Sequence, residues 1–405
     1  MKAIVFKGVG EIRLEDVPEP RIESPTDAIV RLTASAICGT DLHLVRGTLP
    51  GMRPGTILGH EGVGVVETLG EDVRNLEVGE RVLIPSTIAC GSCSYCRAGY
   101  YSQCDQANPN GPEAGTAFYG GPMETGSFPG LQAELARIPF AHVNLFRIPD
   151  EVSDEQALLL SDILPTGWFG ADQAEIKPGN TVAVFGCGPV GQCAILAAFL
   201  KGAGRVIAID SAPDRLGLAR RQGAEAVDFN LEDPVAAIRR LTGGIGTDRA
   251  IDAVGVDAVR PDSGAGTREA RKLGGKFAQE SREVGADQEE ARDWAPGDAP
   301  SQALRWAVES VAKAGTVAVI GVYPQTAEFF PIGMAMMKNL TVKGGNCNHK
   351  RYIPHLLELI RTGAIHPERL VTSVKGMDDA LPAYQAFARH EPGWIKVELE
   401  PRSQS

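Results

Sequence analysis

Thr181-Val-Ala-Val-Phe-Gly-Cys-Gly-Pro-Val-Gly-Gln-Cys-Ala-Ile-Leu-Ala-Ala-Phe-Leu200 is an apolar run broken once, by a cluster of glycines. Thr181–Phe185 reads as a strand apolar on both faces, and Pro189–Leu200 as an apolar helix. Between them Gly186-Cys-Gly188-Pro189-Val190-Gly191 fits G-x-G-x-x-G in the strand–turn–helix context that gives the pattern meaning. Gly186 permits the turn, Gly188 lets a pyrophosphate approach the backbone, and Gly191 lets helix and strand pack closely. The helix N-terminus offers free N–H groups to phosphate oxygens. Asp210 ends the next strand, Arg205–Ile209, 19 residues after Gly191. A carboxylate there accepts from ribose hydroxyls and repels a 2′-phosphate, which favours NAD over NADP.

The pattern continues outward from this turn. Asp214–Arg221 reads as a helix, with further strands at Arg249–Val254, Thr316–Ile320 and Leu340–Lys343. Such alternation predicts a doubly wound parallel sheet. It is interrupted over 256–302 by a polar, charged stretch that includes Gln279–Glu283 and Ala286–Asp293, expected to be an insertion, either a surface excursion or a lid. Before this half, short β-like runs at Ala28–Leu32, Gly62–Glu67 and Arg81–Ile84 alternate with Gly and Pro and predict a β-rich domain. Gly393–Leu399 reads as a last strand.

The 405 residues suffice for two cores, at 43% hydrophobic and 22% charged. A formal net charge of −11 weighs against nucleic acid and anionic membranes as partners. No apolar run reaches membrane-span length, and the start Met1–Lys7 does not read as a signal peptide. With thiols in metal-like spacing, this predicts a cytoplasmic protein.

Two groups of side chains carry metal chemistry. Cys90-x2-Cys93-x2-Cys96-x7-Cys104, in a lobe over 88–107, has the spacing of a closed four-thiolate zinc site. Cys38 (in Ile37-Cys-Gly-Thr40), His60 (in Gly59-His-Glu61-Gly62) and Asp162 (in Leu160-Ser-Asp-Ile163) form a mixed S/N/O set, as at a catalytic zinc that keeps one position open. Glu61 is either an outer carboxylate or an occasional ligand. Cys187, Cys193 and Cys347 are expected as buried small residues.

These motifs resemble the zinc-dependent alcohol dehydrogenases of the medium-chain dehydrogenase/reductase superfamily. The resemblance rests on Gly59-His-Glu61-Gly62-x-Gly64-x-Val66, on Gly70 and Val78-Gly-Glu-Arg-Val82, and on the order of cysteine lobe and glycine motif. It implies an α/β chain with a GroES-like β-rich catalytic domain at 1–163 and 346–405, and a Rossmann doubly wound parallel-sheet cofactor domain at 164–345. It implies one catalytic and one structural zinc, and NAD. Cys38 and His60 match the catalytic ligands. Asp162 stands where many relatives have cysteine, as in the glutathione-independent formaldehyde dehydrogenase branch. Thr40 matches the hydroxyl that takes the substrate proton, and His43 the residue that passes it on. Gly39, Thr166, Arg215, Val254, Gly255 and Lys396 fall among the cofactor contacts, Lys396 toward the pyrophosphate.

The implied reaction is hydride transfer from an alcohol or an aldehyde hydrate such as that of formaldehyde. Alternatives are a secondary-alcohol or polyol dehydrogenase, which the stretch Gly344–Ile365 resembles, and a silent dinucleotide-binding protein. Phe118, Tyr119 and Phe128, in the loop over 111–130, are expected near the substrate pocket. Relatives pair through the segment matching Val322–Met337, so a homo-oligomer, tetramer or dimer, is expected.

Overall fold

Six parallel strands carry the second half of the chain in a computed structural model that describes residues 1–264, 266–285, 294 and 296–401. Their order across the sheet is Glu225–Asp228, Arg205–Asp210, Thr181–Phe185, Thr247–Asp252, Val311–Val319 and Thr341–Gly344. The order reverses between Thr181–Phe185 and Thr247–Asp252, the switch point at which such sheets open a ligand crevice. Alternate residues of one strand enter different cores. Val182 and Val184 join Val206 and Ala208 on one side, while Ala183 and Phe185 join Ile207 and Ile209 on the other. Burial on both faces is why the strand is apolar throughout. Helix Pro189–Leu200 follows with proline at its first turn, and Pro213–Arg221 packs beside the next strands.

The chain divides into two compact units, Met1–Pro165 with Asn346–Ser405, and Thr166–Gly345. The first is built on a seven-stranded sheet. Its central strand, Ala28–Ile37, pairs antiparallel with Gly62–Leu69, Leu135–Ile138 and Val397–Glu400. The last strand thus starts at Val397, four residues later than the sequence suggests, and it comes from the returning C-terminal segment.

The 256–302 stretch is not simply a surface excursion. Helices Gly266–Lys272 and Gly274–Glu283 fall within it, and Phe277, Val284, Trp294 and Ala299 are buried. Val284 packs with Val256 and Phe329 of the same unit. The charged run Ala286–Asp293 lies outside the described residues. Among the described residues no helix is long and apolar enough to cross a membrane.

Candidate active site

Cys38 follows strand Ala28–Ile37 directly and caps helix Gly39–Arg46. That helix contributes Asp41, fully buried one turn on. Its Oδ2 accepts from the Cys38 backbone N–H at 3.0 Å and from Gln132 Nε2 at 3.3 Å, and its Oδ1 lies 3.4 Å from His60 Nδ1. One carboxylate therefore aligns two separate positions. His60 enters just ahead of strand Gly62–Leu69, and Phe118 meets its ring edge-on, with 6.2 Å between centroids. Asp162 lies in the turn before helix Ile163–Gln173. Its Oδ2 is 3.5 Å from Cys38 Sγ and 3.4 Å from His60 Nε2. Burial alone would raise the Asp162 carboxyl, but the hydrogen bond with His349 and the His60 ring beside it hold it well below the usual range.

Ligand atoms of Cys38, His60, Glu61 and Asp162 all lie within 4.8 Å of one another. Both ring nitrogens of His60 and Oε1 of Glu61 are buried without a hydrogen-bond partner. Buried polar atoms are normally satisfied, so this convergence calls for a cation. Burial, then the Asp162 carboxylate, pushes the Cys38 thiol up; a coordinated divalent ion reverses that preference. The donor set of thiolate, imidazole and carboxylate fits zinc.

The lobe cysteines form the second group, again with all four sulfurs within 4.8 Å of one another. Cys93 Sγ and Cys104 Sγ are 3.9 Å apart, close to the roughly 3.8 Å edge of a tetrahedron with 2.3 Å zinc–sulfur bonds. Backbone N–H groups point at the sulfurs, Cys93 to Cys90 at 3.4 Å and Cys90 to Cys104 at 3.2 Å. All eight cysteines are buried and none forms a disulfide, Cys187, Cys193 and Cys347 among them.

In the second unit the glycine motif closes on itself. A Cβ on Gly191 would sit 1.9 Å from Gly186 O, so no larger residue fits there. A Cβ on Gly188 would meet only Arg215 Nη1, at 3.8 Å. That space is a cradle a side chain would fill, and it suits a pyrophosphate. Pro189 and Val190 open the helix, half-buried. Asp210 is fixed by three backbone donors, Cys187 at 2.7 Å, Ser211 at 2.7 Å and Ala212 at 2.9 Å. Val254 and Gly255 donate to Asp252 Oδ1 at the switch point, and Tyr323 donates to Oδ2 at 2.6 Å. Thr166 is half-buried near the start of helix Ile163–Gln173.

Other expected residues fall as follows. Gly39 and Thr40 form the first turn after Cys38, and His43 is buried with Nδ1 2.9 Å from Thr48 Oγ1. Tyr119 and Phe128 pack in the first unit's core, leaving Phe118 as the aromatic beside His60. The Lys396 side chain is fully buried, and its ammonium donates to Glu61 Oε2 and to Ile37 O, partners additional to the pyrophosphate expected for it. Burial pushes the Glu61 carboxyl up to about 7 despite that lysine. Asp41, Thr48, Ser86, Thr87 and His349 were not expected. Only Asp41 leaves a sequence signal, as an acidic residue in the first turn after Cys38.

The family profile for the alcohol dehydrogenase GroES-like domain matches residues 24–150, and that for zinc-binding dehydrogenases matches 189–271. The zinc-type alcohol dehydrogenase-like protein AdhB of Bacillus subtilis is 38% identical over 99% of this chain and 100% of its own. The chain belongs to the zinc-binding alcohol dehydrogenases. Alcohol dehydrogenase TADH from Thermus sp. ATN1 superimposes with a TM-score of 0.79, at 35% identity over 99% of this chain and 100% of that one. Glutathione-independent formaldehyde dehydrogenase of Pseudomonas aeruginosa is 37% identical over 64% of this chain and 66% of its own. As a zinc-binding alcohol dehydrogenase, the chain is an oxidoreductase of small molecules that uses zinc and a nicotinamide dinucleotide, with a GroES-like unit and a Rossmann unit.

Proposed function

We propose that the enzyme oxidises a small alcohol, or the hydrate of a small aldehyde, with NAD as acceptor. The observation that carries this reading is the convergence of Cys38, His60 and Asp162 donor atoms in a buried pocket whose histidine has no other hydrogen-bond partner. When bound, zinc supplies the Lewis acidity that acidifies a substrate hydroxyl, and the nicotinamide accepts hydride. Cys38, His60 and Asp162 hold the catalytic metal, and Cys90, Cys93, Cys96 and Cys104 the structural one. Thr40 takes the hydroxyl proton, and His43, steadied by Thr48, passes it outward. Phe118 helps keep water away from the reacting carbon. Asp210, whose carboxylate would repel a 2′-phosphate, supports NAD over NADP, and Arg215 lies near Gly188 as a further contact for the dinucleotide.

Asp162 and the formaldehyde dehydrogenase likeness support an aldehyde hydrate as substrate, yielding the acid. A second reading, a general alcohol dehydrogenase, is favoured by the full-length likeness to the Thermus enzyme. NADH formation with saturating formaldehyde, without glutathione, beside the same assay with simple primary and secondary alcohols separates them. Cys38→Ala and His60→Ala should each abolish turnover while leaving the melting transition cooperative. Normal turnover by either variant would sink the metal assignment.

The same reading includes a homo-oligomer. Strand Thr341–Gly344 is an open sheet edge, and the adjacent helix Ile332–Met337 exposes Met336 at 75% and Met337 at 82%. A second copy would cover both features. Light scattering on the purified chain gives the mass directly. Eight cysteines without a disulfide fit a reducing, cytoplasmic setting.

A further inference from the structure

The two oxygens of Asp162 face opposite ways. Oδ2 looks inward, 3.5 Å from Cys38 Sγ and 3.4 Å from His60 Nε2. Oδ1 looks outward. It lies 2.9 Å from His349 Nε2, and Ser86 Oγ donates to it at 3.4 Å. The His349 ring is itself held, with Nδ1 3.2 Å from Thr87 Oγ1 and Nε2 3.2 Å from Ser86 Oγ. His349, Ser86 and Thr87 are 3–4% exposed, so none of these groups has water to fall back on. His349 opens helix His349–Arg361, and Lys350, next to it, donates to Thr87 O.

Carboxylates bind divalent metals through one oxygen or two. A second oxygen on the metal would occupy a position that a catalytic site keeps for substrate. An N–H donor on the outer oxygen opposes that swing, because the turn would give up its 2.9 Å bond to a carboxylate for the longer 3.2 Å contact with the Ser86 hydroxyl. From this geometry we propose that His349 is a positioning residue that keeps Asp162 a one-oxygen ligand and so preserves the open coordination position. The assignment rests on the reading of Cys38, His60 and Asp162 as zinc ligands, and it adds a function for a histidine outside that set.

The test uses the full chain loaded with cobalt(II) in place of zinc, whose visible d–d bands are strong when four-coordinate and weaken on five-coordination. Bands from the four-cysteine site are common to all variants and cancel in difference spectra. In His349→Ala the bands should weaken, the rate of metal release should rise about 10–100-fold, and KM should rise more than kcat falls. His349→Gln, which can place an amide N–H near the lost Nε2–H, should restore most of the spectrum. Thr87→Val, which removes the contact at Nδ1 without touching Asp162, should shift it the same way by less. If His349→Ala does not fold, the glutamine and valine variants decide. Unchanged cobalt bands and release rate in the folded variants would overturn the proposal. A protein that takes up metal only at the four cysteines overturns both this proposal and the ligand reading. Metal uptake at both sites, with the expected band shifts but no alcohol or aldehyde turnover, overturns only the proposed reaction.

Discussion

Lys396 and Glu61 form an ion pair in which both side chains are completely inaccessible to solvent. Each charge is desolvated, and each relies on the other. Lys396→Met should therefore strand a carboxylate in the core and cost about 3–5 kcal/mol in urea unfolding. Lys396→Met with Glu61→Leu should recover most of that loss. A single-variant loss below about 1 kcal/mol, the worth of an exposed pair, would show that the carboxyl is already neutral in the folded chain.

The four-cysteine lobe makes a separable prediction. Its sulfurs sit at tetrahedral spacing away from Cys38, His60 and Asp162 in the sequence, so Cys93→Ala should lower zinc from two to one per chain. The melting temperature should drop by several degrees, since structural zinc contributes directly to folding. Whatever variant remains folded should keep its KM. Metal analysis beside calorimetry checks this, and a variant that still carries two zinc ions refutes it.

Asp210 is held by three backbone donors and is only 9% exposed, so its carboxylate is already aimed before any ribose arrives. Asp210→Asn should weaken NAD by about 10–100-fold, the worth of a charge-assisted hydrogen bond of about 1.5–3 kcal/mol. It should weaken NADP less, because the repulsion of a 2′-phosphate goes with the charge. The ratio of kcat/KM for the two cofactors is the readout, and a constant ratio would argue against Asp210 as the selector.

Glu398 supplies a pH dependence. Burial, then the carboxylates of Glu155, Glu400 and Asp154, pushes its carboxyl up to about 7. The folded chain therefore binds this proton more tightly than the unfolded chain does. The stabilisation is present below the unfolded value and fades as pH rises through about 7. Glu398→Gln, which stays neutral, should be more stable than the unaltered chain by about 1–3 kcal/mol near pH 8 and nearly equal to it near pH 4. Parallel denaturation curves across that range measure the difference, and a constant offset would refute the titration.

The sequence was most legible where burial acts on both faces of a strand. Thr181–Phe185, Pro189–Leu200 and Arg81–Ile84 match their expected bounds because the strands are buried from their second residue on and most of the helix is buried. Cys38 and Asp162 are 124 residues apart, yet each sits in a motif that survives that separation. His349 has no such signature. It meets Asp162 across 187 residues, through a chain that leaves the first unit and returns, and nothing in Asn-Cys-Asn-His349 marks the outcome. The Lys396–Glu61 pair was hidden for a related reason, since the inward turn of a lysine depends on a carboxylate 335 residues away. The 256–302 stretch stayed open between surface excursion and lid because its charges outnumber the few apolar residues, such as Phe277 and Val284, that dock it.

The first unit is closed by a segment made after the whole of the second unit. Strand Val397–Glu400 pairs with Ala28–Ile37, and His349 and Lys396 reach back to Asp162 and Glu61. The other unit, Thr166–Gly345, is one uninterrupted segment. On a ribosome the dinucleotide-binding unit has all its strands in hand while the metal-binding sheet still lacks an interior neighbour. During synthesis, then, the cysteine, imidazole and carboxylate donors wait with an open sheet for the returning segment from Asn346 onward, and order of birth favours acquiring the nucleotide fold before the catalytic ion is enclosed.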